Sequence, residues 1–452
     1  MGCCEKVFYD PDKETRTLTE RIMLSERQLD RARGCKDRLL AYLKPELGKA
    51  LGVEVRHWLQ GSYKNHTLVR PSSKFEEFDI DVGLYLLCHA PRIGIHAHEV
   101  KSQLHQILEQ YVDTQADTEL QSSKESCERL SYPPTFHIDL PLYYFDTDSG
   151  ACQLATQNNG WTDSDPKALQ DWFDEATKHL DRAKLRRIIR YLKIWVAVKW
   201  SAETEGRIPS VALTVLVVQC FQDKEGDDFT LAYTAISIST YLASNNKVSS
   251  PVNGDDLLGL TDQHLITARE QLGTLAKACQ TVLQSNNFYE QYLIWAAIFE
   301  HMFPPYRENG IPTIDNTNLP TITRPPQIRV VHRDKAGYMQ NNRVITEIIA
   351  YRGERLEFRI DNVADYPPGS RVQWVVRNQD QQAEDINDLG HVCWKDIGDI
   401  NKEHCEYQGR HYMECLILHQ GSVLGINTVE VVIRGLSRPH RNPPRKTHFK
   451  RR

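Results

Sequence analysis

No apolar run in the chain approaches the roughly 20 residues that a membrane span needs. The opening stretch MGCCEKVFYD also lacks the apolar segment of a secretory signal. These absences set aside a membrane partner and lead to the expectation of a cytoplasmic protein. Gly2 stands where N-myristoylation would act, but that motif wants Ser or Thr at the sixth position and Lys6 is there. No CxxC pair occurs among the 11 cysteines, and their number is odd. That suits a reducing compartment better than a disulfide framework. No internal repeat is present, which sets solenoids and propellers aside. Basic charge is scarce outside the C-terminus. The net charge is −5, yet Arg434 to Arg452 holds eight Lys or Arg and no acid, so the remainder carries about −13. A body this acidic lacks the basic surface on which non-specific nucleic-acid affinity depends. It remains compatible with a small anionic substrate carried by metal ions.

What is present is a soluble chain of 452 residues, long enough for two or three domains. Residues 14 to 50 show helical spacing of Leu18, Ile22, Leu29, Leu39 and Leu43, with an interruption expected at Pro45. VEVRHWL (53 to 59) and FDIDVGLYL (78 to 86) read as strands, residues 97 to 112 as an amphipathic helix, and FHIDLPLYYF (136 to 145) as one further strand. SDP at 164 to 166 is a helix start, with Ser or Asp as cap and Pro in the first turn. Residues 186 to 200, 209 to 221 and 262 to 303 continue as helices, the second apolar nearly all round. Six prolines fall within 304 to 327, the texture of a linker. Beyond it ERLEFRID, RVQWVVRN, YMECLILH and NTVEVVIRG alternate with period two, as in a small β-sandwich. His391, Cys393, His404, Cys405, His411 and Cys415 cluster there at spacings that fit no standard zinc pattern, so core cysteines and surface histidines are expected.

The chemistry-bearing feature is GSYKNHTLVRPSSKFEEFDIDVGLYL, residues 61 to 86. Alternate residues of a strand point the same way, so Asp79 and Asp81 project from one face about 6 to 7 Å apart. Two carboxylates there repel, and in a dry site one would take up a proton. A divalent cation removes that conflict, and Mg²⁺ takes hard oxygen ligands while keeping positions for substrate phosphates. Asp139, in the second strand, supplies a third carboxylate, enough for two ions that clamp the attacking and leaving oxygens of a phosphoryl transfer. Gly61 lets the backbone approach a phosphate, and the amide and hydroxyl of Ser62 can donate to it. A helix starting after Ser62 would favour the same anion.

These residues, with WTDSDPKAL following, resemble the bacterial cGAS/DncV-like nucleotidyltransferases of the polymerase-β-like superfamily, over residues 14 to 303. The resemblance implies an α+β fold: a nucleotidyltransferase core with its N-terminal helix (1–160), then a helical second lobe that completes a nucleotide cleft (161–303). A Pro-rich linker (304–327), a small all-β sandwich-like domain (328–436) and a basic disordered tail (437–452) complete the expected order. It implies Mg²⁺-dependent joining of nucleoside triphosphates into a cyclic oligonucleotide with release of pyrophosphate, Mn²⁺ being a substitute ion. ATP is the expected substrate, with GTP or pyrimidine triphosphates as further candidates. The product would be a second messenger of antiphage defence that activates a separate effector protein. Carried over by position, Asp79 and Asp81 bind both ions, and Asp139 completes the site and helps deprotonate the attacking ribose hydroxyl. Gln60, Gly61 and Ser62 lie along the donor triphosphate, and Lys193 and Ser210 contact phosphates from the helical lobe. Lys193 could equally snorkel from a helix face, and Ser210 could only cap a helix after Pro209. Arg186 and Arg190 form either a cationic wall or, on balance, a solvated stripe. The β-rich segment resembles the C-terminal sensor domain called adenylyl/guanylyl-cyclase and SMODS, which implies a regulatory ligand or partner. The competing functions are template-independent nucleotide addition to RNA or another acceptor, and a catalytically silent nucleotide-binding sensor.

Overall fold

The computed structural model describes residues 2–12, 16–88, 96–200, 206–305, 325–419 and 422–435. Most of the expected linker and all of the basic tail lie outside the described residues. The described chain falls into two compact units, one running to Pro304 and including Asp385–Leu389, the other holding the remaining C-terminal residues.

The first unit begins with three helices: α1 (Glu5–Phe8), α2 (Leu18–Ile22) and α3 (Glu26–Leu51). Capping boxes at Thr17 and Ser25 start α2 and α3, each hydroxyl accepting from the amide three residues on. Pro45 does not interrupt α3, contrary to expectation. It lies on the exposed face, and so does Ala41, whose carbonyl loses its helical partner to the proline, so water can satisfy that carbonyl. The helix runs on to Gly52, which closes it in the left-handed conformation.

A mixed eight-stranded sheet follows, with β1 (Glu54–Leu59), the short helix α4 (Gly61–Lys64), β2 (Phe78–Cys88), α5 (Ala97–Val112), β3 (Glu119–Leu120), β4 (Glu128–Tyr132), β5 (Phe136–Leu140), β6 (Leu142–Asp146), β7 (Cys152–Ala155) and β8 (Trp161–Asp163). The expected single strand over 136 to 145 is two strands, because Pro141 has no N–H to give a ladder. Its carbonyl still accepts from Leu84, so β5 and β6 both run parallel to β2 on either side of that break. Val100, Leu104, Ile107, Leu108 and Tyr111 form the buried stripe of α5. Each such side chain contributes about 1.5 to 3 kcal/mol by leaving water, which outweighs any local propensity. They join Leu39, Leu43, Ile80, Val82, Leu130 and Ile138 in one core.

The helical lobe holds α6 (Pro166–Ala176), α7 (Arg182–Lys199), α8 (Ser210–Cys220), α9 (Asp227–Ser244), α10 (Asp262–Gln284) and α11 (Phe288–Phe299). The SDP start resolves as Asp165 capping Ala168 with Pro166 in the first turn. Helix α7 is the lobe's axis, buried along most of its length. Arg187 pairs with Asp227 at 2.6 and 2.9 Å, and the Tyr191 hydroxyl donates to the same carboxylate at 2.8 Å. Phe8 packs edge-on to Tyr191, Trp295, Phe299 and Phe303, with centroids 4.9 to 5.9 Å away.

The second unit is sandwich-like, with a four-stranded and a five-stranded sheet. The first is built from β9 (Ile328–Arg333), β10 (Met339–Val344), β12 (Arg355–Ile360) and β15 (Asn401–His404). The second holds β11 (Glu347–Tyr351), β13 (Arg371–Arg377), β14 (Gly390–Asp396), β16 (Gly409–His419) and β17 (Ser422–Arg434). Trp374, Phe358, Met413 and Ile417 lie in their shared core, as do Cys405 and Cys415. His411 departs from the surface position expected for the histidines. It is buried between the Asn378 side chain and the Tyr407 carbonyl.

Phe8→Ala should lower the stability of the first unit by about 3 to 5 kcal/mol, because the ring is fully buried among four others. Denaturant unfolding followed by tryptophan fluorescence checks it, and a loss below about 1 kcal/mol would contradict the packing described.

Candidate active site

The register of β2, β5 and β4 sets out the site as two rows on one sheet face. Asp81 is opposite Asp139 on β5, and Asp139 is opposite Arg129 on β4. Beside them Asp79 is opposite His137, and His137 opposite Ser131. The strand face therefore carries Asp79, Asp81 and Asp139 together, as the spacing suggested. Asp81 has its carboxyl pushed up to about 7, first by burial and then by Asp79 and Asp139, while Lys193 and Arg129 pull it back. A carboxylate held in that condition gains by any cation that arrives.

Asp139 differs from the open third ligand of the sequence reading. Both its oxygens accept from Arg129, from Nε and Nη2 at 2.6 Å each. Among the described residues no group of three or more His, Cys, Asp or Glu side chains is arranged to hold a metal ion as it stands. The hard oxygens of Asp79 and Asp81 fit a divalent cation. Asp139 joins them only by exchanging the Arg129 guanidinium for the ion, since a fork–fork pair leaves few lone pairs. Arg129 was missed from the sequence, because nothing in ERLSY marks which strand it faces.

Gly61 and Ser62 stand where the acids need them. Gly61 has φ +59°, and a Cβ there would lie 2.2 Å from Asp81 Oδ2, so both backbone and space demand glycine. Helix α4 begins at Gly61, two residues before the start expected after Ser62, and has only four residues. Gln60 borders the smaller of two cavities at the site, and its side chain is tied into the sheet. Its carboxamide donates to the Tyr85 hydroxyl at 2.9 Å and accepts from the Tyr143 hydroxyl at 3.3 Å.

From the helical lobe, Lys193 reaches this turn. It is buried, so it does not snorkel, and its ammonium donates to Ser62 Oγ at 2.5 Å, to the Thr67 carbonyl at 3.2 Å and to Thr67 Oγ1 at 3.3 Å. Burial pushes its pKa down to about 8, with Asp79 and Asp81 acting in the opposite direction. One turn earlier on α7, Arg190 donates to the His66 carbonyl. Burial lowers the Arg190 pKa to about 10. Ser210 does not cap α8; Pro209 is the cap residue, and Ser210 is the first helical residue, with its side chain at the cavity.

Two cavities meet at this place. One, of about 230 Å³, is lined by Gly61, Asp81, Leu169, Trp172, Phe173 and Val215. The other, of about 800 Å³, is lined by Lys74, Phe75, Glu77, Arg129, His137 and Arg207. Ser62, Asp79, Lys193 and Ser210 border both. This explains why α8 is apolar all round: Val211 and Val215 line the smaller cavity and Leu213 the larger, while Leu216 and Val217 are buried in the protein.

A sheet bearing paired acids, a Gly-Ser turn gripped by a lysine from a helical lobe, and cavities on both sides of the junction define a two-lobed nucleotidyltransferase. Comparisons with known proteins agree. Residues 55–143 match the family described as "Cyclic GMP-AMP synthase DncV-like, nucleotidyltransferase domain". Residues 312–434 match the "Adenylyl/Guanylyl and SMODS C-terminal sensor domain". A protein from Escherichia albertii named cyclic GMP-AMP synthase is 36% identical over 445 residues, covering 98% of each chain. A Vibrio cholerae protein of the same name is 24% identical over 261 residues, 46% of this chain and 57% of that one. Among solved structures, Vibrio cholerae DncV cyclic AMP-GMP synthase superposes with a TM-score of 0.58 at 17% identity, covering 68% of this chain and 98% of that chain. The same enzyme in complex with the linear intermediate pppA(3′,5′)pG gives 0.56 at 18% identity, covering 64% of this chain and 94% of that chain. The chain belongs to the DncV-like nucleotidyltransferase family and carries the family's C-terminal sensor domain.

The raised Asp81 gives a prediction with a definite sign. In the folded protein it keeps its proton to about pH 7, whereas in the unfolded chain an aspartate loses it near 4. The folded state therefore binds more protons between those values, and stability falls as pH rises through them. With metal removed by EDTA, Asp81→Asn should be more stable than the parent by about 1 to 3 kcal/mol at pH 8 and by nearly nothing at pH 4. Thermal unfolding across pH measures this; a gain of the same size at both ends would contradict it.

Proposed function

We propose that the chain joins two nucleoside triphosphates, ATP and GTP, into a cyclic dinucleotide, cyclic GMP-AMP, releasing two molecules of pyrophosphate. The observation that carries the proposal is the meeting of two cavities at Ser62, Asp79 and Lys193, since two substrates must face one another across the acids. The choice of bases rests on the name of the 36% identical relative.

A donor triphosphate lies against Gly61 and Ser62, where the glycine lets its phosphates approach the main chain. Lys193 already donates to Ser62 Oγ, and a phosphate oxygen, being charged, competes for the same ammonium. Ser210, at the edge of both cavities, is placed to donate to the triphosphate. The acceptor nucleotide occupies the larger cavity and turns a ribose hydroxyl toward the donor α-phosphorus. Asp79 and Asp81, with Asp139, would hold two Mg²⁺ ions, for which Mn²⁺ would substitute, and the chemistry such ions would supply is neutralisation of phosphate charge and alignment of the attacking and leaving oxygens. Asp139, released from Arg129, takes the proton from the attacking hydroxyl. A bond forms from that oxygen to the α-phosphorus, and the bond to pyrophosphate breaks. A second attack within the linear product closes the ring.

The separate domain around β9 to β17 is read as a regulatory module that binds a ligand or partner. The consumer of the product is a separate effector protein in bacterial antiphage signalling, in a cytoplasm whose reducing conditions suit 11 free cysteines. Among the described residues no helix is long and apolar enough to cross a membrane.

Purified protein given radiolabelled ATP with GTP and Mg²⁺ should yield a small product resistant to phosphatase and identified by mass spectrometry. Asp79→Ala and Asp81→Ala should each lower its formation by about a thousandfold or more, as expected for loss of charge stabilisation at the reacting phosphate. Label appearing only in added RNA would make the protein a tailing enzyme. No product, with nucleotide binding unaltered by either substitution, would make it a silent sensor.

A further inference from the structure

Along the face of β2 that carries the acids, alternate positions read Asp79, Asp81, Gly83, Tyr85. The acids belong to the chemistry. The glycine and the tyrosine have no part in it so far. Gly83 does not have a left-handed backbone, so conformational freedom does not explain it. Space does: a Cβ at 83 would lie 2.1 Å from Gln60 Nε2 and 2.9 Å from the Tyr85 ring. The missing side chain leaves a gap, and Gln60 fills it.

Both ends of the Gln60 carboxamide are used there. Nε2 donates to the Tyr85 hydroxyl at 2.9 Å, and Oε1 accepts from the Tyr143 hydroxyl at 3.3 Å. Tyr85 and Tyr143 are register partners on β2 and β6, with rings stacked 4.9 Å apart at 16°. Burial raises both phenol pKa values above the ordinary range, so both hydroxyls keep their protons. The main chain of Gln60 is tied in the other direction. Its N–H donates to the Asp81 carbonyl at 3.0 Å, and its carbonyl accepts from Lys64 N–H, which closes the Gly61–Lys64 turn. The next residue, Gly61, packs against the Asp81 carboxylate.

We propose that Gln60 is a positioning residue: seated in the gap at Gly83 between Tyr85 and Tyr143, it holds the Gly61–Ser62 turn at a set distance from Asp79 and Asp81. This reassigns Gln60 from a nucleotide contact to a strut, and it assigns Gly83, Tyr85 and Tyr143 as its seat. It rests on the reading of Ser62 as a triphosphate contact and of the two acids as metal holders. The strut matters because phosphoryl transfer is mostly placement, and a displacement of about 1 Å can cost a hundredfold in rate.

The test uses the full chain with ATP, GTP and Mg²⁺, and four variants: Gln60→Ala, Gly83→Ala, the double Tyr85→Phe/Tyr143→Phe, and that double combined with Gln60→Ala. The phenylalanines keep the stacked rings and remove only the hydroxyls, so they test the strut even if Gly83→Ala fails to fold. The double variant should lose about tenfold or more in kcat with KM changed by less than about threefold and the melting temperature nearly unchanged. Adding Gln60→Ala should cost little more, because the interaction is already gone. A raised KM for Gln60→Ala with kcat intact and the tyrosine variant silent would make Gln60 a direct nucleotide contact and overturn the strut, as would losses that multiply. Amide hydrogen exchange over residues 60 to 64, measured without nucleotide, is the second readout. It should be faster in the tyrosine double variant, and unchanged exchange overturns the proposal. That measurement needs no turnover, so a wild-type protein that forms no product refutes the proposed function separately.

Discussion

The structure is organised around a charge conflict on β2. Asp79 and Asp81 share one face of a buried strand, and the register places Asp139 beside them. At about 6 Å and an effective dielectric of about 20, each like pair costs about 3 kcal/mol. Two cations answer three acids: Arg129 forks onto Asp139, and Lys193 faces Asp79 and Asp81 from the helical lobe. The account stays one positive charge short, and this adds to the burial that first raises Asp81. A site in this condition is ready for a cation and unstable without one, a common bargain between function and stability.

The helical lobe is shaped to deliver Lys193. A lysine ammonium buried among uncharged groups would lose its proton or leave the core, so its surroundings must be rigid and polar. Thr67 and Ser62 provide acceptors on one side. On the other, α7 is pinned by Arg187 to Asp227 and by Tyr191 to Thr19 and Asp227. Aromatic packing around Phe8 holds the middle of the same helix at Tyr191. The stretch after β1 is a main junction of sheet and lobe, which α7 grips at Ser62, His66 and Thr67 and, through the Ala197 carbonyl, at Ser72.

Much of this was legible in the chain. Two acids at spacing two within an apolar run fall on one strand face, and it is their conjunction with the Gly-Ser step and a third acid in a second strand that pointed to this site. The SDP start and the stripe of α5 were equally plain, since caps and periodicity are local. Local rules also misled. Pro45 marks a break by its chemistry, but an exposed helix face supplies the freed carbonyl with water. FHIDLPLYYF looks continuous, but the missing N–H of Pro141 divides it. Gln60 stands beside Gly61 in the chain, yet its side chain faces tyrosines 25 and 83 positions away.

The amino-acid sequence by itself determined the acids, the glycine turn, the helices that carry Lys193 and Ser210, and the alternating strands beyond residue 328. Each of these depends on neighbours within a few positions, and backbone geometry converts such spacing into a shared face without further information. Tertiary structure alone decided that Asp139 is held by Arg129, that Lys193 is buried against Ser62 and Thr67, and that Gly83 is a seat for Gln60. Those outcomes come from strand register and from the docking of α7, which bring together residues separated by 10 to 131 positions. No local pattern encodes the partner of a side chain at such a distance, because the partner is chosen by packing of the whole core.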